Sequence, residues 1–268
     1  MNALGVVGDE PFLALNGDIL TDLDLTAMVA FHRERGAVAT IALTRVEDAR
    51  PYGLVATEAD GRVLEFREKP AEPVPGAINA GTYVLEPAAL RGFPTGVPIS
   101  IEREIFPKLI ADGLPVYGFV SAAYWLDLGT PAQYLRAHAD LLAGRVAGAP
   151  AYPAPYLAEG ASVHLRAHLG KAVVVAPGAR VGADAEVDDS VLLEGATVEP
   201  GARVVGSILG PRSRVGAGRD GRGLRPRRGR EGPRRRGAPR RADLRRRDLA
   251  LSPARRRGSI LGRRGPMW

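Results

Sequence analysis

Apolar residues recur at Val175, Val181, Val187, Leu192, Val198, Val204, Leu209 and Val215, so the steps along the chain run 6, 6, 5, 6, 6, 5 and 6. Neither the 3.6-residue period of a helix nor the two-residue period of an ordinary strand gives this beat. Small residues and glycine cluster just after the apolar positions, as in PGARVGADAEV and LEGATVEPGARV. The pattern is that of a hexapeptide parallel β-helix, in which each short strand forms one side of a coil and turns its apolar residue inward. One such coil cannot bury its own core. The segment must therefore stack on further coils or on a partner chain, which predicts a homo-oligomer held through this region.

Upstream, residues 1–145 alternate strand and helix signals, which argues for an α/β layer architecture around a largely buried sheet. Pro11 to Asn16, Val38 to Leu43, Ile78 to Leu85 and Val116 to Val120 read as strands. Tyr52 to Thr57 and Arg62 to Phe66 flank Asp60-Gly61, the signal of a type I′ hairpin. Helices are predicted over Leu25 to Arg35, over Ile101 to Ile110, and from Pro131 to about Ala143. Residues 146–162 are rich in proline and small residues and read as a linker. The expected order is thus an α/β domain over 1–145, the linker, hexapeptide coils over 163–217 and a tail over 218–268.

The net charge of +7 points toward nucleic acid until it is divided along the chain. Residues 218–268 hold 19 arginines against 4 acidic residues, which leaves 18 basic and 26 acidic residues in the remainder. The body is acidic and only the tail is basic. That tail has no aromatic residue before Trp268, so it lacks stacking platforms for bases and a nucleic-acid partner is not expected. Its abrupt switch from hexapeptides to Arg, Gly and Pro reads as a shifted reading frame or a disordered arm. With no cysteine, any metal must sit on oxygen or imidazole. No stretch approaches the roughly 20 apolar residues of a membrane span, and the N-terminus lacks the features of a signal peptide, so a cytoplasmic location is expected.

Asp18, in Leu15-Asn16-Gly17-Asp18, follows a buried strand and so stands where α/β sheets bind ligands; a carboxylate there suits Mg²⁺ and, through it, a phosphate. Asp127, in Tyr124-Trp125-Leu126-Asp127-Leu128-Gly129-Thr130-Pro131, stands at another strand end before a helix, where capping is the alternative role. Between them lie Glu68-Lys69-Pro70 and Ile78-Asn79-Ala80-Gly81, whose glycine admits a close backbone approach. His164 and His168 have a metal-pair spacing but no third ligand, and no metal role is expected of them.

NGD, PYG (Pro51 to Gly53), EKP, NAG, SIEREIFP (Ser100 to Pro107) and YWLDLGTP occur in an order and spacing that resembles the sugar-1-phosphate nucleotidyltransferases, over residues 1 to about 217. SIEREIFP and the hexapeptide segment look most like the mannose-1-phosphate guanylyltransferases, with glucose-1-phosphate uridylyl-, thymidylyl- and adenylyltransferases as close relatives. The resemblance implies a Rossmann-like nucleotidyltransferase domain, here incomplete, followed by a short left-handed β-helix. It implies attack by a sugar 1-phosphate oxygen on the α-phosphorus of an NTP, GTP by this likeness, with release of pyrophosphate. By the same likeness Asp18 and Asp127 hold Mg²⁺, and Lys69 binds the sugar phosphate. Gly53, Glu68 and Asn79 hold sugar hydroxyls, and Gly81 lies against the substrate.

The family's opening loop, G-x-G-T-R-L-x-P, has no counterpart before Asn16. The expectation drawn from this is a chain inactive and poorly folded alone, with Met1 as a misplaced start or a fragment boundary. A non-catalytic regulatory subunit that binds sugar nucleotides is the alternative from another class. A hexapeptide acyltransferase is disfavoured, because Val175 to Val215 contains no histidine.

Overall fold

The computed structural model describes residues 7–68, 72–218 and 221, with Glu68 described by its backbone. Lys69 and all but two residues of the basic tail lie outside these, and with them the expectations placed on both.

In chain order the first elements are β1 (Phe12–Leu15), β2 (Ile19–Thr21), α1 (Leu25–Glu34), β3 (Ala39–Val46), β4 (Gly53–Thr57), β5 (Val63–Glu68) and β6 (Gly76–Leu85). There follow α2 (Phe106–Ala111), β7 (Val116–Val120), β8 (Trp125–Asp127) and α3 (Pro131–Leu142). Five strands are ordered β5-β4-β6-β3-β7, and β1 pairs with the last residues of β6. Among the described strands of this sheet only β3 and β7 run parallel. The sheet's centre is β3 and β6, buried over residues 39–43 and 78–85. Such near-continuous apolar runs are what a sheet covered on both faces requires. On one face Phe106, fully buried, packs its ring 5.3 Å from Tyr83 and 5.5 Å from Phe66. On the other, α1 seats Met28 and His32, one helical turn apart, after Asp24 caps its start by accepting from Ala27 N at 2.9 Å.

One local reading is corrected and another refined. The β4–β5 connection is not a type I′ turn: Gly61 has φ of +92°, but Asp60 keeps a negative φ. Gly61 N donates to Glu58 O at 3.0 Å and Glu58 N to Arg62 O at 2.8 Å, a longer loop in which the left-handed residue follows a turn. The predicted helix over Ile101 to Ile110 is present as one uninterrupted helical run that opens with a wide turn, Ile101–Ile105, where Ile105 N donates to Ser100 O at 3.2 Å, and continues as α2. Pro107 accounts for the change of winding, since in a regular helix its ring meets the carbonyl four residues back and it offers no N–H.

From Tyr156 onward the chain winds in coils. Their strands are β9 (Tyr156–Leu157), β10 (Ser162–Val163), β11 (His168–Leu169), β12 (Val174–Val175), β13 (Arg180–Val181) and β14 (Glu186–Asp188). The later ones are β15 (Val191–Leu192), β16 (Thr197–Val198), β17 (Arg203–Val205), β18 (Ile208–Leu209) and β19 (Arg214–Val215). They stack in parallel into three narrow sheets, β10-β13-β16-β19, β11-β14-β17 and β9-β12-β15-β18, an arrangement consistent with a left-handed β-helix. All eight residues of the sequence beat are buried, none above 6% exposed. Ser162 pairs with Arg180, and Thr197 with Arg214, so one turn of the coil takes 18 residues early and 17 later. The lost residue is the step of five, at corners where Ser190 and Ser207 are fully buried and Ser207 N donates to Ser190 Oγ at 3.1 Å. The first coil begins at Tyr156, inside the stretch read as linker. No helix of the described residues is long and apolar enough to cross a membrane.

Candidate active site

The chain leaves β1 through Asn16-Gly17-Asp18 and returns as β2, which pairs antiparallel with β8 in a ribbon separate from the main sheet. The register sets Ile19 opposite Asp127, and Leu128 N donates to Asp18 O at 2.8 Å. Two carboxylates more than a hundred residues apart in sequence thereby come from adjacent strand positions. Both line a cavity of about 210 Å³.

The opposite wall is a polar cluster. Asn79, buried on β6, donates from Nδ2 to Tyr83 Oη at 2.8 Å and to Glu102 Oε1 at 2.6 Å, while its Oδ1 accepts from Gly81 N at 3.0 Å. The reverse amide orientation would press Oδ1 against the carboxylate, so the direction of the amide is fixed by its neighbours. Tyr83 Oη donates to Glu102 Oε1 at 3.5 Å, and the Asn16 side chain also bonds it. Burial raises the Tyr83 phenol well above its ordinary value, and the carboxylate of Glu102 adds to this against the pull of the Asn79 and Asn16 amides. Tyr83 is therefore a neutral donor throughout the physiological range.

Gly81 joins the cluster to the β1 turn. Its φ is +73°, its carbonyl accepts from Asn16 N at 2.8 Å, and a Cβ on it would lie 2.8 Å from Asn16 Nδ2. The third side is made by Pro51, Tyr52, Gly53 and Trp125. Trp125 is fixed by its Nε1 donating to Ala80 O at 2.9 Å, and Tyr52 meets its ring edge-on at 5.2 Å. Burial, with the nearby Asp127, raises the Tyr52 phenol.

Of the residues singled out in the sequence, Asp18, Gly53, Asn79, Gly81 and Asp127 line this one cavity. Glu68 stands opposite Gly53 in the β4–β5 register, so its backbone reaches the rim. His164 and His168 are exposed on the coils and belong to no cluster of metal-ligating groups among the described residues. Sequence reasoning missed Glu102, which stands in SIEREIFP two residues after Ser100. There an acid reads as first-turn helix chemistry, and Ser100 does cap the turn, accepting from Arg103 N at 3.1 Å.

The sequence profile of the nucleotidyl transferase family matches residues 1–144, more than half of the chain. The chain belongs to this family. The profile called GMPPB C-terminal domain matches residues 152–220, the coils. The chain is similar to a mannose-1-phosphate guanylyltransferase of Mycobacterium tuberculosis, with 39% identity over 205 residues, 75% of this chain and 57% of the relative. A probable mannose-1-phosphate guanylyltransferase 3 of Oryza sativa is 36% identical over 77% of this chain and 59% of its own length. A UTP–glucose-1-phosphate uridylyltransferase of Synechocystis is 32% identical over 75% of this chain and 59% of its own length. This nucleotidyl transferase chain therefore spans less than two thirds of these curated relatives.

The donor set bears on the metal expected in such a family. No three His, Asp or Glu among the described residues are placed to share an ion. The cavity offers the pair Asp18 and Asp127, and Gly129 N already donates to Asp127 Oδ1 at 2.6 Å. One or two carboxylates completed by substrate phosphates and water is how Mg²⁺ is ordinarily held, so the pair fits a hard cation brought to the cavity with a phosphate.

Proposed function

We propose that this chain carries the sugar-phosphate side of a site that transfers a nucleotidyl group from an NTP to a sugar 1-phosphate and releases pyrophosphate. The observation that carries the reading is the cavity itself, where a carboxylate pair at the β2–β8 ribbon faces a polar cluster built from two further motifs. A volume of about 210 Å³ is below the roughly 300–1,000 Å³ of whole-ligand pockets, which suits a sugar-sized part of a larger substrate. Mannose 1-phosphate and GTP are the favoured pair, because the guanylyltransferases named above have the higher identities.

In this reading an oxygen of the sugar 1-phosphate attacks the α-phosphorus in line with the departing pyrophosphate, and the work of the protein is positioning and charge neutralisation. Asp18 and Asp127 hold Mg²⁺, which when bound neutralises phosphate charge at this wall. Gly53 presents backbone to the sugar, Trp125 and Tyr52 wall it off from water, and Gly81 lets the β6 backbone approach it. By family likeness Glu68 is assigned to sugar hydroxyls and Lys69, outside the described residues, to the sugar phosphate. The stacked parallel coils are compatible with assembly with a second copy.

Titration of the chain with mannose 1-phosphate and Mg²⁺, followed by an assay for pyrophosphate after addition of GTP, tests the reading. Binding with pyrophosphate release supports transfer. Binding without turnover favours a sugar-nucleotide-binding subunit. A folded chain that binds no sugar phosphate overturns the proposal.

A further inference from the structure

Asp127 is the last residue of β8, and only Leu128, Gly129 and Thr130 separate it from α3, which begins at Pro131. Leu128 N closes the ribbon by donating to Asp18 O at 2.8 Å. Thr130 starts the helix: its Oγ1 accepts from Gln133 N at 3.2 Å and donates to Gln133 Oε1 at 2.7 Å, which is capping-box chemistry. Gly129 does neither. Its N–H turns back and donates to Asp127 Oδ1 at 2.6 Å. Among the described residues the Asp127 carboxylate makes this one hydrogen bond, through one of its two oxygens, and the Asp18 carboxylate makes none.

The backbone itself does not call for glycine at 129. Its φ lies outside the left-handed region that Gly81 and Gly113 occupy, and the residue is exposed. What a side chain there would meet is the carboxylate. A Cβ would stand 2.9 Å from Asp127 Oδ1 and 3.7 Å from both Cγ and Oδ2 of the same residue, and these are its three nearest neighbours. A carboxylate at the end of a short side chain can rotate out of the way, so an added methyl group would cost the fold little. It would do so by turning Oδ1 away from the Gly129 N–H and breaking a charge-assisted hydrogen bond.

We propose that Gly129 is a positioning residue for the cation of this site: its N–H holds Asp127 Oδ1, its missing side chain leaves room for that bond, and Oδ2 is thereby offered to the ion already oriented. The inference rests on the reading of Asp18 and Asp127 as the carboxylates that hold Mg²⁺. It gives the turn before α3 a duty beyond starting the helix, since a group that orients a metal ligand typically carries about 10–100-fold in metal affinity.

The test uses Mn²⁺ as a stand-in for Mg²⁺, because electron paramagnetic resonance counts the free ion directly. The full chain is titrated with Mn²⁺ in the presence of mannose 1-phosphate, as wild type, Gly129→Ala, Asp127→Asn and the double variant. Gly129→Ala is expected to bind Mn²⁺ about tenfold or more weakly than wild type. Its melting temperature without metal stays within about 4 °C of wild type. In the Asp127→Asn background the same glycine substitution changes Mn²⁺ affinity less than twofold, because its effect passes through that carboxylate. Wild-type Mn²⁺ affinity in Gly129→Ala overturns the inference, as does a tenfold loss that persists in the Asp127→Asn background. A melting temperature lowered further than stated also overturns it, since glycine would then serve the fold. In these cases the carboxylate-pair reading stands. A wild-type chain that takes up no Mn²⁺, or whose Mn²⁺ affinity is the same in Asp127→Asn, overturns that reading and the inference with it.

Discussion

Gly81 occupies a left-handed backbone position with Asn16 and Ile19 packed within 3.1 Å of where a Cβ would stand. Gly81→Ala therefore combines backbone strain of about 1–2 kcal/mol with displacement of Asn16 from the cluster around Tyr83. The expected result in urea unfolding is a loss of at least that size, together with weaker binding of mannose 1-phosphate. Asp127→Asn removes charge without changing shape. It should abolish the Mg²⁺ dependence of sugar phosphate binding and leave binding in EDTA unchanged; an unaltered Mg²⁺ response would exclude Asp127 as a ligand. Asp18 and Asp127 were legible because each stands at a strand end, whereas Gly53, Asn79 and Gly81 were legible only through the order of motifs to which they belong. Glu102 was not legible, because an acid two residues after a serine cap is indistinguishable in sequence from one that merely favours a helix start.

Among the elements, the coils were the most legible, because the inward position repeats and every repeat must meet the same core. The strands of the sheet were legible from their apolar runs, but the pairing β5-β4-β6-β3-β7 was not, since strand order depends on contacts far apart in sequence. The helix over Ile101 to Ile110 was legible from its apolar spacing, but its wide opening turn was not, since that follows from Pro107. Coil geometry carries its own prediction at Gly182, where a Cβ would lie 2.6 Å from Pro200 N and 2.9 Å from the Glu199 carbonyl carbon in the next turn. Those are backbone atoms and cannot swing aside. Gly182→Ala is expected to cost about 1–3 kcal/mol, whereas Gly201→Ala, whose Cβ meets nothing within 4 Å, is limited to the strain of its φ of +68°. Thermal melts of the two variants check the order.

Across the molecule, Asp140 on α3 ties the helix to the start of β8. Its carboxylate accepts from Tyr124 Oη at 2.7 Å and from Arg145 Nη1 at 2.6 Å, and its side chain is 2% exposed. Burial alone would raise its pKa, but the bonds from Tyr124 and Arg145 outweigh it and hold the group below its ordinary 3.8. A lowered carboxylate contributes stability that is complete above 3.8 and is lost as pH falls through the folded value. Tyr124 is pushed up to about 12 by burial and by the bond to Asp140, so its contribution is complete below 10.0 and is lost toward 12. Asp140→Asn should thus destabilise the chain by about 1.5–3 kcal/mol at neutral pH, with the difference from wild type shrinking below pH 4 in unfolding curves.

Asp22 makes the second tie, accepting from Tyr124 N at 2.7 Å and from Ala147 N at 2.8 Å. The Asp22 tie and the ribbon it braces join residues separated by a hundred positions or more. Local hairpins and coils can form from near neighbours, but this ribbon has to wait until nearly the whole α/β region has been collected, because long loops close at an entropic cost before their contacts reward it. The carboxylate pair is consequently among the last features to exist as the chain refolds. Competence to bind a phosphate should lag behind the recovery of secondary structure in time.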